Sequence, residues 1–188
     1  FVIPMFPAET IHFSHWIAAL AMISIIYGAL NAMACKDLKR LVAYSSVSHM
    51  GFVLLGIISL NEEGLNGAIY QMVSHGILSA MLFFLAGVLS DRTGDRTIDN
   101  YSGLSQQLTK YSTFTLIAFI ASLGLPGFSG FIGELLVLMG ALRPGATYDT
   151  VPQWMAILSA LGLILGAGYF LWAYQRMFLG KFFIRLSI

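Results

Sequence analysis

The chain has 188 residues, 57% hydrophobic and only 10% charged, with a formal net charge of +1. A soluble domain carries roughly 25% charged residues, so this composition excludes a soluble enzyme, a disordered tail and a collagen-like chain. The lack of any basic run excludes a nucleic-acid partner. A single cysteine, Cys35, excludes a disulfide framework and a cysteine-based metal site. What remains is an integral protein of the lipid bilayer.

Phe1 stands where an initiator methionine would, and no signal peptide precedes the first apolar run. The expectation is a chain that begins inside a longer protein, or a processed product. Stretches without Asp, Glu, Lys or Arg then run Thr10–Cys35, Leu41–Asn61, Gly64–Ser90, Tyr111–Gly133 and Thr150–Gln175. Each is near the roughly 20 residues that a transmembrane helix needs, and none alternates as a barrel strand would. The pattern predicts an all-α integral membrane domain over 1–188. Its five helices fall near 13–35, 41–60, 65–90, 112–142 and 153–176, the fourth broken near 124–130.

The first segment carries His12, His15 and Trp16 at its start, where histidines read as interfacial. The second holds His49 near its middle, with Ser45 one turn before it. The third holds His75, with Gln71 and Ser79 one turn to either side on the same face. Such neighbours can hold ordered water or fix a tautomer, and histidine exchanges protons near physiological pH. Two other readings stay open: metal ligation, for which the signal is weak, and hydrogen-bonded histidines that glue helices together.

The fourth segment, TFTLIAFIASLGLPGFSGFIGELLVLMGAL, is longer than a span needs. Pro126 lies in its middle among Gly124, Gly127, Gly130 and Gly133. Proline removes a helical hydrogen bond and clashes with the preceding turn, so a discontinuous helix is expected. The competing reading is tight packing through small residues. Glu134 follows one short turn later and is the one charge inside a segment. An acid at that depth costs about 2.5–3.5 kcal/mol on insertion scales, so it faces protein or water. It reads either as a proton carrier or as a structural carboxylate paired with a neighbouring helix. A line through His49, His75 and Glu134 supplies polar stations for a proton or cation, and residue types alone go no further. The chain shows no redox machinery of its own.

Nine basic residues, Lys36, Lys39, Arg40, Arg92, Arg96, Lys110, Arg176, Lys181 and Arg185, border one side of the bundle, against Arg143 on the other. The positive-inside rule then places the N-terminus outside and the C-terminus in the cytoplasm or matrix. Trp16, Tyr148 and Trp154 near one side, and Tyr44, Tyr101, Tyr111 and Tyr174 near the other, fit aromatic belts. A chain with 13% aromatic residues would scatter them similarly.

Three stretches carry a family resemblance: KDLKRLVAYSSVSHMGFVLLGI (Lys36–Ile57), QMVSHGILSAMLFFLAGVLSDR (Gln71–Arg92) and LGLPGFSGFIGELLVL (Leu123–Leu138). Together they resemble the antiporter-like proton-pumping subunits of respiratory complex I. The resemblance implies a longer fold of two inverted five-helix repeats, each with a broken helix, of which this chain matches the second. By that match Glu134 is the broken-helix carboxylate, His75 the relay histidine and His49 the histidine one helix earlier; Pro126 and Gly127 mark the break.

The implied activity is proton translocation in a membrane arm, in a bacterial plasma membrane or an organellar inner membrane. NAD, flavin, iron–sulfur clusters and quinone sit in partner subunits, with no cofactor or metal in this chain. The family's first repeat, with its other buried glutamate and two lysines, has no counterpart here. The resemblance places the family's usual last helix beyond the closing GKFFIRLSI, so it is not expected within these residues. Related expectations are a subunit of a multisubunit cation/proton antiporter or of a membrane hydrogenase, or a non-conducting structural anchor.

Overall fold

The computed structural model describes residues 2–143 and 150–184. Tyr148 and Arg185, placed above in the aromatic belt and the basic tail, lie outside the described residues. Two short helices, α1 (Val2–Met5) and α2 (Pro7–His12), lead into α3 (Ser14–Ala34). There follow α4 (Leu38–Ile58), α5 (Glu62–Thr93), the short α6 (Leu104–Gln107), α7 (Thr109–Ser122), α8 (Ser129–Leu142) and α9 (Gln153–Phe178). The strands β1 (Tyr101–Ser102) and β2 (Phe183–Ile184) pair antiparallel, with Tyr101 opposite Ile184.

Four helices, α3, α4, α5 and α9, are long and apolar enough to cross a membrane, and α8 is a shorter apolar helix. The chain is therefore an all-α integral membrane protein. Backbone polarity explains this architecture: in lipid every N–H and C=O must be satisfied within its own segment, which a helix does. The turns between helices carry the capping chemistry. Asp37 accepts from Arg40 N at 3.0 Å to start α4, and Asn61 accepts from Gly64 N at 2.8 Å to start α5. Helix α5 ends on Gly94, whose φ of 72° suits a residue without Cβ. It runs past the expected 65–90 at both ends, because Asn61 caps it early and no breaker precedes Gly94.

Apolar side chains pack into two clusters. One surrounds Leu41, Leu89, Ile98, Tyr101 and Phe178 at the end bearing the basic loops. The other surrounds Ile58, Leu138, Ala141 and Met155 at the opposite end. Between them lies a buried polar layer that includes Ser45, Ser48, His49, Gln71, Ser74, Ser122 and Glu134. Close helix approach frames that layer. Ser48 Oγ donates across the α3–α4 contact to Ile25 O at 2.9 Å. Along the α5–α8 contact, a Cβ on Gly133 would overlap the Gln71 side chain and one on Gly140 would overlap the Gly64 backbone. Asn61 Nδ2 donates to Gly140 O at 2.7 Å and closes the same contact.

Candidate functional site

The break in the fourth segment sits at residues 123–128, between α7 and α8. Leu123 N still reaches Phe119 O at 2.9 Å, and Phe128 N turns back to Leu125 O at 3.1 Å. Gly124 (φ 74°) and Gly127 (φ 103°) adopt the left-handed backbone that turns the chain on either side of Pro126. Helices α7 and α8 have 14 residues each, about 21 Å apiece at 1.5 Å per residue. Neither alone matches a hydrocarbon core of about 30 Å.

Glu134 lies in the second turn of α8 and is buried. A side chain on Gly124 would overlap Glu134 Oε2, so the absence of a Cβ there lets the break close over the carboxyl. Glu134 Oε1 lies 3.1 Å from Nδ1 of the buried His49 on α4. With the acid ionised, the Nδ1–H donates to it. The His49 ring centroid is 5.3 Å from that of His75 on α5, the planes inclined at 43°. The structure thus brings together all three expected residues but sets His49 in the middle. Glu134 bonds to His49 of the second segment, on α4, and not to His75 of the third, on α5.

A small cavity of about 10 Å³ runs along the two histidines, lined among others by Ser45, Gln71, Ser79 and Ser122. It has room for about one water. Ser45 Oγ donates to Val42 O at 2.8 Å and Ser79 Oγ to Gly76 O at 3.3 Å, so each is tied to its own helix. Ser74 Oγ donates to Ser129 Oγ at 2.8 Å and joins α5 to the start of α8. Among the described residues, His49 Nε2, Gln71 Oε1, Ser122 Oγ and Glu134 Oε2 are buried without a hydrogen-bond partner. His12, which ends α2, and His15, in the first turn of α3, are exposed and do not line this cavity. Among the described residues, no three His, Cys, Asp or Glu side chains gather as a metal site.

Sequence reasoning passed over Ser74, Ser122, Ser129 and Tyr169. Tyr169 on α9 is fully buried, its ring 4.6 Å from that of Phe170. Ser122 and Ser129 bracket the break, but single serines at helix ends carry no distinguishing signal in the sequence. Chemically, a buried acid, two imidazoles and hydroxyls in one layer can accept, hold and pass a proton.

Long apolar helices packed with a broken one, and a carboxyl and an imidazole in the buried layer, define a polytopic membrane protein with a polar layer inside it. Residues 1–164 match the NADH:quinone oxidoreductase/Mrp antiporter transmembrane family, and the chain belongs to it. It is 44% identical over 182 residues to NADH-ubiquinone oxidoreductase chain 4 of Marchantia polymorpha, covering 97% of this chain and 35% of that protein. Among solved structures it resembles a chain of respiratory complex I from Thermus thermophilus with bound NADH. That likeness has a TM-score of 0.89 at 39% identity and covers 100% of this chain and 39% of the other. It also resembles a chain of the Mrp complex from Dietzia, with a TM-score of 0.80 at 25% identity over 88% of this chain and 30% of that one. The chain thus spans about a third of the length of the relatives it matches.

Proposed function

We propose that this chain is the second repeat of a proton-translocating membrane-arm subunit of an NADH:quinone oxidoreductase of the complex I type. The observation that carries the reading is the buried Glu134–His49 pair, 3.1 Å long, set beside a helix break and within 5.3 Å of the His75 ring. The likeness to chain 4 of Marchantia polymorpha and to complex I from Thermus thermophilus supports the choice of complex. Protons pass between His75, His49 and Glu134. Ser45, Gln71 and Ser79 line the path, and Pro126 and Gly127 hold the break open beside it. Helices α7 and α8 together form the fourth of five spans.

NAD, flavin, iron–sulfur clusters and quinone belong to partner subunits. The first repeat supplies the other half-channel, and neighbouring membrane-arm subunits deliver the coupling. The basic loops face the cytoplasm or matrix, and the N-terminus faces outside. Moving one charge against 100 mV costs about 2.3 kcal/mol, so the path is gated, not open.

The test places Glu134→Gln and His75→Ala separately in the full-length subunit within its complex, with proton pumping measured per NADH oxidised. Each is expected to lower pumping at least about tenfold, a modest share of what a positioned proton-transfer group contributes. Wild-type pumping in both variants would exclude the pathway. A cation/proton antiporter subunit is the second reading, favoured by the likeness to the Mrp complex. It predicts cation-driven proton movement without NADH in membrane vesicles. A structural anchor predicts lower assembly with unchanged pumping per assembled complex.

A further inference from the structure

Three of the buried atoms without partners come from three different helices: His49 Nε2 on α4, Gln71 Oε1 on α5 and Ser122 Oγ on α7. Their residues are 8%, 2% and 4% exposed, and all three line the same cavity of about 10 Å³. The His75 ring borders it as well. Buried polar groups in folded proteins are almost always satisfied, by protein or by ordered water. A polar cavity of one-water size with about three free partners is the setting in which a buried water is found.

We propose that this cavity is a binding site for a single water molecule, and that Ser122, at the last turn of α7 before the break, is the positioning residue that holds it between His75 and His49. The hydrogen-bond inventory closes around such a water. With His49 donating through Nδ1 to Glu134, its Nε2 is an acceptor. The water donates one hydrogen to His49 Nε2 and the other to Gln71 Oε1. It accepts from the Ser122 hydroxyl and from a ring N–H of His75. The two imidazoles, which no direct hydrogen bond joins among the described residues, are then linked through one oxygen.

The inference rests on the proton-translocating reading and adds the step that reading lacks. When His75 is an imidazolium, one of its N–H bonds breaks and the proton moves to the water oxygen. The water's own O–H bond toward His49 breaks, and an N–H bond forms at Nε2. The Nδ1 proton of His49 then passes to Glu134 Oε1. One proton has left His75, one has arrived on Glu134, and the water is regenerated. Ser122 gives up no proton; it fixes the oxygen on the line between the rings.

The experiment uses the gene product carrying this sequence, assembled in its membrane complex. It compares Ser122→Ala, Ser122→Thr and Glu134→Gln in protons pumped per NADH oxidised, with a high-resolution density map of the wild type and of Ser122→Ala. The expected result is a water peak within hydrogen-bond reach of Ser122 in the wild type and none in Ser122→Ala. Pumping in Ser122→Ala should fall about tenfold or more and return to within about twofold in Ser122→Thr, which restores the hydroxyl. A wild-type map without the water overturns the inference, as does a Ser122→Ala protein that pumps normally. Equal losses in Ser122→Ala and Ser122→Thr overturn it too, since they reflect packing at the break. Normal pumping in Glu134→Gln defeats the underlying reading, whatever Ser122 does.

Discussion

Two acid–base pairs in this chain have similar lengths and opposite surroundings. Glu134–His49 measures 3.1 Å with side chains 3% and 10% exposed, while Asp99–Arg176 measures 2.8 Å with side chains 36% and 53% exposed. Distance alone would rank the second as stronger. Burial reverses the order, because water and salt already satisfy the exposed charges and nothing replaces a lost partner in the polar layer. The Asp99–Arg176 pair belongs to a surface latch at the basic end, where Arg176 also lies 5.1 Å above the Trp172 ring. The Glu134 pair is the point around which α4 and α8 meet.

The comparison breaks most visibly if Glu134 is replaced by an apolar residue. Glu134→Leu leaves His49 Nδ1 buried without an acceptor and should cost about 1–3 kcal/mol, read from unfolding in detergent with increasing denaturant. Gly133→Ala probes the same layer by volume, since its Cβ meets the Gln71 side chain. Overpacking there should cost about 1–3 kcal/mol, and the same unfolding measurement checks it. At the latch, Arg176→Ala should cost less than about 1 kcal/mol. Raising salt from about 0.1 M to 1 M, which shortens the screening length from roughly 10 to 3 Å, should weaken the latch and leave the buried pair untouched.

The smallest effect concerns Asp95. The side-chain amide of Asn100 and the backbone N–H groups of Thr97 and Arg96 hold its carboxyl down at about 2, from an ordinary 3.8. A depressed folded value means that the stabilisation is complete above about 4 and is lost as pH falls toward 2. Protection of the amides of residues 95–101 against exchange, taken relative to their intrinsic rates, should therefore fall in that window in the wild type, and Asn100→Ala should flatten the dependence.

Much of the architecture was legible because the membrane imposes a severe rule on the chain. Charge-free runs fell on α3, α4, α5 and α9, and Pro126 among its glycines marked the interruption between α7 and α8. The depth of His49, His75 and Glu134 along their helices was also readable from spacing. Their partners were not. Which imidazole meets Glu134 depends on how α4, α5 and α8 are rotated about their axes, and glycine contacts such as Gly133 against Gln71 and Gly140 against Gly64 set that rotation. Single-helix periodicity carries no information about such contacts. Ser122 escaped notice for the same reason: a serine at a helix end is ordinary until a second and third helix place orphaned atoms beside it. The pairing of β1 with β2, two residues each and far apart in sequence, left no pattern long enough to read.

The interruption at 123–128 has a mechanical side. An unbroken helix is a stiff rod that carries a push at one end to the other. Here the hydrogen-bonded ladder stops at Leu123 and resumes at Ser129. Helix α8 is clamped to the first half of α5 by Ser74–Ser129 and Asn61–Gly140, while α7 is fastened further along α5 by Tyr111 to Leu85 O and to α9 by Ser112 to Tyr174. The two halves therefore form a joint. Ser122 belongs to α7 and Glu134 to α8, so the relative position of these two residues is set at the break and not by a continuous helix.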